Sequence, residues 1–334
     1  MKIAASLWMR HVIKKETDNM DNSMNRDLSV LMMAVAKGKK SSDGTSFKRY
    51  IGIAPCFVKA VNPSKEELEK CFNTTLDKAP EYVGEQDVDE DGKKVKYANA
   101  RITFLAHPSP DDVGFDTGLI SVTLFVRKQF RFNRDKSKVQ VIDKYGRTAW
   151  ASPDEVKNKQ IPMYSNGPAN IDRDFRPAYV GEEELTKFIV AYLNIPSVMK
   201  YNKPENKWYM VDNPQDSECR LDHIDDYFKG DFSELSELLS YQPDNKLQIL
   251  FGVRTGDDNR QFQATYNQMF LKNGITDYSK LENDVKSRKD AGSYPSTEFL
   301  ICPLREYTVN ETDFAAGTGS DMPFATPSAE NPWG

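Results

Sequence analysis

The segment from Phe125 to Lys138 combines aromatic and basic side chains at strand-like spacing. It reads Phe-Val-Arg-Lys-Gln-Phe-Arg-Phe-Asn-Arg-Asp-Lys-Ser-Lys. Binding a single strand of nucleic acid requires cations for the phosphates and exposed rings on which bases stack. Phe125, Arg127 and Arg131 fall on one face of an extended chain, where positions two apart are separated by ~6.7 Å. That distance is of the order of one stretched nucleotide, so the segment has the chemistry of a single-strand binding surface.

Positive charge is concentrated around this segment. Between Phe125 and Trp150 there are eight basic and two acidic residues, a net charge of +6, whereas the whole chain carries −5 and the remainder therefore −11. An alternative interpretation is a solvated hairpin whose charges provide solubility or protect a sheet edge. On the binding interpretation, the candidate nucleic-acid contacts are Phe125, Arg127, Lys128, Arg131, Arg134, Lys136, Lys138, Lys144, Tyr145, Arg147, Trp150 and Tyr164. Tyr164 lies in the loop Met163–Asn170, for which an ordinary turn is the competing interpretation.

Local signals indicate the elements that position these side chains. Asp91-Gly92 predicts a type I′ hairpin within Tyr82–Leu105. Clean alternation predicts that the even positions of a strand at Leu119–Phe132 pack on a core, while its odd positions face water or a ligand. We further expect a turn at Arg134–Ser137, strands at Phe47–Val61, Lys138–Tyr145, Leu247–Val253, Gln261–Leu271 and Glu298–Val309, and helices after the N-cap Asn62 and within Gly181–Leu193, Arg220–Phe228, Phe232–Leu239 and Tyr278–Lys289.

These elements predict a β-rich α+β fold. Strands with appended helices suit a small barrel such as the OB-fold, although periodicity alone does not separate a barrel from a sandwich. We expect an N-terminal arm at 1–45 and an OB-like nucleic-acid-binding domain at 46–310, with a helical insertion at about 178–245. Residues 311–334 contain four acidic residues and no basic one, a composition that predicts a disordered acidic tail.

Composition gives no indication of catalysis, a cofactor or a membrane span. The longest nearly apolar run, Leu28–Ala36, is too short to cross a bilayer, and the N-terminus lacks the apolar region of a signal peptide; we expect a cytoplasmic protein. Four widely spaced cysteines predict free thiols, without a disulfide framework or a metal site. Cys219, Asp222, His223 and Asp226 share helical spacing, but a half-exposed acidic helix is favoured over metal binding. Neither a phosphate-binding glycine loop nor a catalytic motif is present, so we expect no enzymatic activity.

The acidic tail contains one short pattern, Asp321-Met322-Pro323-Phe324. A carboxylate followed by an apolar residue, proline and phenylalanine can insert its ring into a partner's pocket while the acid meets a basic rim. Accidental composition in a linker is an equally weighted interpretation. Tethering also predicts that the tail competes for the protein's own basic surface at low salt.

Several stretches resemble a known family. Val61–Lys70, Arg127–Trp150, Ile161–Leu185 and Phe228–Lys246 resemble single-stranded DNA-binding proteins of tailed bacteriophages of Bacteroidales, including crAss-like phages, over roughly residues 48–309. The resemblance implies an OB-type domain that coats single strands during phage DNA replication and recombination, in the cytoplasm of the bacterial host. The pattern Asp321–Phe324 separately resembles the tip of bacterial single-stranded DNA-binding proteins, although ten residues follow Phe324.

The sequence leaves three functions open. The favoured one is a viral protein that binds single-stranded DNA, largely independently of sequence, and recruits phage or host replication and recombination proteins through its tail. RNA as the ligand and self-association are left open. The alternative is a virion structural or packaged protein held in an assembly by its arm and tail. An enzyme acting on nucleic acid ranks third.

Overall fold

The computed structural model describes residues 49–159, 174–211, 214–240, 245–257, 259, 261–275 and 277–307. The expected arm at 1–45, Tyr164 and the expected tail at 311–334 lie outside the described residues, and so does the pattern Asp321, Met322, Pro323 and Phe324. Within the described residues the chain divides into two compact units. Unit 1 comprises the described parts of Val61–Thr103 and Thr123–Pro243, and unit 2 those of Lys39–Ala60, Phe104–Val122 and Asp244–Gly334.

The described chain is dominated by β-strands. They are β1 Arg49–Val61, β2 Val83–Glu90, β3 Lys93–Pro108, β4 Ile120–Phe130, β5 Val139–Asp143, β6 Thr148–Ala151, β7 Phe175–Pro177, β8 Tyr179–Val180, β9 Met199–Asn202, β10 Lys207–Met210, β11 Lys246–Thr255, β12 Gln261–Thr265, β13 Leu271–Lys272, β14 Thr297–Phe299 and β15 Arg305–Tyr307. The helices are α1 Lys65–Phe72, α2 Pro110–Val113, α3 Pro153–Asn158, α4 Glu182–Tyr192, α5 Ile224–Tyr227, α6 Ser233–Ser240 and α7 Ser279–Asp290, with a 3₁₀ turn at Pro214–Ser217.

Unit 2 is organised around β11. This strand pairs antiparallel with β1, in a register that places Ile53 opposite Leu250, and also with β12, β13 and β14. Strand β1 in turn pairs with β15. The core behind these strands joins Ile53, Leu250, Tyr266 and Phe299 to Leu281 of α7, so burial of the apolar side of α7 fixes that helix on the sheet.

Unit 1 contains the elements expected to bind nucleic acid. Strand β2 pairs with β3, and β4 is paired antiparallel with the short strand β8. A separate three-stranded sheet has the order β6-β5-β7. Val139, Val141, Ala151 and Phe175 form its small core. The remaining hairpin, β9–β10, is a two-stranded sheet of its own.

The β-rich class is confirmed, and the antiparallel sheet is curled in the manner of a half-barrel, which is compatible with a barrel-like fold. The finer assignment to the OB-fold stays a prediction. The segment expected as a helical insertion, about 178–245, contains α4, α5 and α6 but also the hairpin β9–β10. Among the described residues, no helix has the length and apolar character needed to cross a membrane.

The predicted turn at Asp91-Gly92 is confirmed, whereas the predicted N-cap Asn62 is wrong. Asp91 and Gly92 join β2 to β3 with φ angles of 54° and 80°, as a type I′ turn requires. Helix α1, in contrast, is capped by Ser64, whose hydroxyl accepts a hydrogen bond from the Glu67 N–H while the Glu67 carboxylate accepts one from the Ser64 N–H. The expected N-cap, Asn62, instead takes a φ of 45° and accepts a hydrogen bond from the Thr103 N–H at 2.7 Å.

Strand β4 changes phase near its end. Up to Val126 its even positions are buried and its odd positions face outwards, as the alternation predicts. The pairing with β8 then shifts register between Arg127 and Phe130. Such an irregularity re-aims the side chains that follow it, and Lys128, Phe130 and Phe132 are exposed. The prediction that even positions pack on the core is therefore wrong beyond Val126.

Gly181 makes this junction sterically possible. It has a φ of +88°, and a Cβ atom at this position would lie 1.8 Å from the Phe125 carbonyl oxygen. We expect Gly181→Ala to lower the free energy of unfolding by at least about 3 kcal/mol, because backbone strain and a main-chain clash add together. Urea denaturation measures this loss.

The matched control for that substitution is Gly92→Ala. Gly92 has a similar φ of +80°, but an added Cβ would meet no atom of the described structure within 4 Å. The strain alone should cost about 1 kcal/mol. Equal losses for the two variants would show that the close approach to Phe125 is absent.

Candidate nucleic-acid interface

The predicted basic hairpin is formed. The chain turns between Asn133 and Lys138, where the Asn133 N–H donates to the Lys138 carbonyl at 3.0 Å and the Asn133 side chain accepts from the Lys138 N–H at 2.9 Å. Lys136 occupies the left-handed position of the turn with a φ of 57°. Strand β5 then returns the chain and pairs with β6, placing Gln140 opposite Trp150.

Two lysines of this hairpin are held by acids from other parts of unit 1. Lys136 donates to both carboxylate oxygens of Asp91, at 2.9 and 2.8 Å, and these hydrogen bonds raise the pKa of the lysine above its ordinary value. Lys128 lies 3.0 Å from the Asp225 carboxylate and 5.6 Å from the centre of the Phe228 ring. Both lysines remain about half exposed, so the neighbouring acids offset part of their positive field but leave the side chains accessible.

Arg131 belongs to a more enclosed network at the start of α4. Its guanidinium lies 2.8 Å from Glu183 and 3.6 Å from Glu184. Gln140 and Lys187 also contact the Glu183 carboxylate, each at 2.8 Å. Burial by itself would raise the pKa of Glu183. The pKa nevertheless lies below its ordinary value, because the hydrogen bonds and charges of Lys187, Gln140 and Arg131 stabilise the carboxylate more than burial disfavours it. Arg131 therefore serves as a structural cation.

Arg127 faces the hairpin β2–β3. Its guanidinium donates to the Gln86 side chain at 3.3 Å, and burial lowers its pKa. The neighbouring Gln129 donates to Glu90 at 2.5 Å. Odd positions of this part of β4 thus contact β2, which leaves Arg127 in an enclosed place rather than on an open surface.

The turn after β5 is a second structural cluster. The Asp143 side chain is fully buried and is paired with Arg147, whose side chain is only 9% exposed. Tyr145 is buried against Val198 and Met199. Lys144 pairs with Glu218 at 3.0 Å. We therefore remove Tyr145 and Arg147 from the candidate contacts, because neither presents its side chain to a ligand.

Arg134 and Lys138 are the cations of the hairpin that remain available. Both are exposed, and neither forms an ion pair with a residue that the structure describes. The charge of Lys138 helps to lower the pKa of Glu155, whose main causes are hydrogen bonds within its own helix cap. Of the eight basic residues between Phe125 and Trp150, these two are the ones that are both exposed and outside the ion pairs among the described residues.

Exposed rings lie in the same segment of the chain as these cations. Phe125 and Phe132 are each 49% exposed and Trp150 is 41% exposed, which is unusual for large apolar side chains. Phe130 is also exposed, but its ring stacks on Tyr179 at 5.3 Å and 7°. Tyr179 in turn donates to Asp225 at 3.1 Å, and its pKa is raised to about 12, first by burial and then by Asp225.

Phe130 and Phe132 are exposed although the alternation along β4 predicts them in the core, and three further exposed rings lie outside the sequence-predicted site. Tyr201, Trp208 and Tyr209 are 40–42% exposed on the hairpin β9–β10. Their signal was present in the sequence as two short aromatic-lysine runs around Lys203-Pro204-Glu205-Asn206. The prediction of a helical insertion over the whole of 178–245 excluded strands there, so the hairpin β9–β10 was not predicted.

Among the residues that the structure describes, no group of three or more histidine, cysteine, aspartate or glutamate side chains is placed to hold a metal ion. Comparison with protein-family models, curated proteins and solved structures gives no match. The functional argument therefore depends on the geometry of unit 1.

Proposed function

We propose that the protein binds and coats single-stranded DNA, largely independently of sequence, and that it does so as a non-enzymatic binding protein. In this proposal the rings of Phe125, Phe132 and Trp150 stack on bases, and Arg134 and Lys138 hold phosphates. Ring stacking tolerates any base because every base has a π-face. Low sequence preference follows from that chemistry.

One observation carries the proposal. Within the described residues, all the exposed large hydrophobic side chains are aromatic and all belong to unit 1. They are Phe125, Phe130, Phe132, Trp150, Tyr201, Trp208 and Tyr209. Exposed aromatic rings are suited to stacking on unpaired bases, and the exposed cations Arg134 and Lys138 of the same unit favour an anionic ligand.

The ion pairs around the site support it in a second way. Asp91, Glu183 and Asp225 hold Lys136, Arg131 and Lys128 in fixed positions. A framework fixed before binding reduces the conformational entropy lost on binding. The paired cations therefore keep the exposed rings of the hairpin in place, while the phosphates are bound by Arg134 and Lys138.

The wider biological setting belongs to the same proposal. An OB-type barrel, a role in phage DNA replication and recombination, and action in the cytoplasm of the bacterial host come from the sequence resemblance. Recruitment of replication proteins through Asp321–Phe324 comes from the sequence of the tail. None of these rests on the described residues.

Titration of the full chain with fluorescently labelled oligonucleotides at several salt concentrations tests the proposal. We expect binding at low salt that weakens as salt rises. Neutralising both cations, as Arg134→Gln with Lys138→Gln, should weaken binding and reduce the slope of log K against log salt by about 1.4, since each phosphate contact on a single strand contributes about 0.7.

A matched control removes the same charge elsewhere. Lys280 and Lys286 are exposed on α7 of unit 2, and Lys280→Gln with Lys286→Gln should leave the slope unchanged. Absence of binding by the unaltered protein at low salt refutes the proposed function. Binding that both double variants weaken equally would refute the site while leaving the function intact.

A further inference from the structure

The hairpin β9–β10 is a second surface with the same chemistry. Tyr201 and Trp208 face each other across its two strands, with ring centroids 5.1 Å apart and an interplanar angle of 47°. Every side chain from Lys203 to Tyr209 is exposed. The hairpin thus presents aromatic surface to solvent.

Lysines alternate with these rings. Lys200, Lys203 and Lys207 are exposed, and within the described residues none of the three forms an ion pair. The one acid of the hairpin, Glu205, accepts a hydrogen bond from the Tyr209 hydroxyl. Most of the predicted basic hairpin is neutralised by distant acids, whereas this hairpin keeps its positive charge.

The base of the hairpin explains how it is held. A two-stranded hairpin alone is marginally stable in water, but here Met199 and Met210 pack with Val198 against the buried ring of Tyr145. The Val211 N–H also donates to the Val198 carbonyl at 3.0 Å. Tyr145 lies two residues after the end of β5, so the turn that follows this strand anchors the hairpin β9–β10.

We infer that the hairpin β9–β10 is a second contact for the single strand bound at the first site, with a base on the Tyr201–Trp208 pair and phosphates on Lys200, Lys203 and Lys207. This inference rests on the proposed function. Exposed rings beside unpaired lysines are complementary to a strand whose bases are unstacked and whose backbone is anionic. Both surfaces belong to unit 1, so a strand long enough to extend beyond the first site is the ligand that this inference requires.

The ring pair is tested by replacing both members. The full chain with Tyr201→Ala and Trp208→Ala should bind a long labelled oligonucleotide about 5- to 160-fold more weakly, the effect of losing one stacked base. An oligonucleotide too short to reach past the first site should be bound as tightly as by the unaltered protein. Tyr201→Phe with Trp208→Phe keeps the rings and should restore binding of the long strand.

The lysines provide an independent test that leaves the rings in place. Lys200→Gln, Lys203→Gln and Lys207→Gln together should reduce the salt slope for the long oligonucleotide by about 2. The equal change of charge in Lys280→Gln, Lys286→Gln and Lys289→Gln, on the exposed side of α7, should leave it unchanged.

The outcomes separate this inference from the proposed function. If the unaltered protein binds no oligonucleotide, both fail. If it binds and both hairpin variants match it on long strands, the second contact is refuted while the first site stands. Weaker binding of long strands only, in both hairpin variants and not in the α7 control, supports the second contact.

Discussion

Replacing Arg147 by alanine is expected to lower the free energy of unfolding by about 3–5 kcal/mol, because it leaves a buried carboxylate without its cation. Asp143 is fully buried, and its Oδ1 accepts the backbone N–H groups of Tyr145 and Arg147 at 3.0 and 2.9 Å. Its Oδ2 is bound by the Arg147 guanidinium at 2.5 Å. Urea denaturation of the full chain measures the loss.

A second substitution separates the charge from the geometry. Arg147→Lys keeps a cation but lacks the planar guanidinium that reaches Asp143, and we expect it to recover only part of the lost stability. Binding of single strands, measured under conditions where each variant is folded, should be unaffected in both. If Arg147→Ala is as stable as the unaltered protein and binds nucleic acid poorly, then Arg147 is a ligand contact and our assignment of it is wrong.

Arg147 and Arg134 show that the sequence alone does not reveal which basic residues are paired in the folded protein and which remain available to a ligand. Both are basic residues in the same short segment, and the sequence does not distinguish them. Asp143 lies only four positions from Arg147, but the sequence does not show that the pair is buried. For other cations the partner acids are distant in the sequence and come near only after folding: Asp91, Glu183, Glu218 and Asp225. A segment with a net charge of +6 thus becomes a surface with two available cations on the hairpin.

Local elements were predictable because their signals are local. Asp91-Gly92 determines a type I′ turn by the φ angles it tolerates, and alternation identified β4 up to Val126. Helix α4 begins at Glu182, directly after the glycine, as expected. Each of these depends on residues within a few positions of one another.

The features that were missed depend on contacts between distant residues. The register shift in β4 arises where β8 and Gly181 meet the strand about 55 residues earlier in the chain. The hairpin β9–β10 persists because Tyr145 covers its base, and its sequence alone does not reveal that support. Exposure of Phe130 and Phe132 follows from the register shift. A prediction from uninterrupted alternation, which does not include that shift, therefore places both rings in the core.

Removal of the exposed rings should have the largest effect on the affinity for single strands. We expect the triple variant Phe125→Ala, Phe132→Ala and Trp150→Ala to lose most of its affinity for single strands, at about 1–3 kcal/mol for each stacked ring. The three side chains are 41–49% exposed, and surface substitutions usually change stability by no more than about 0.5 kcal/mol each. Titration with labelled oligonucleotides and urea denaturation of the same samples measure the two effects.

Two companion variants distinguish stacking from packing. Phe125→Tyr, Phe132→Tyr and Trp150→Phe keep an aromatic face at every position and should bind nearly as well as the unaltered protein. Phe130→Ala removes a ring that stacks on Tyr179 at 5.3 Å and should lower stability more than any single member of the triple. If the alanine triple binds normally, bases do not stack on these rings. If the free energy of unfolding of the alanine triple falls as much as that of Arg147→Ala, the three rings belong to the core and do not form a binding surface.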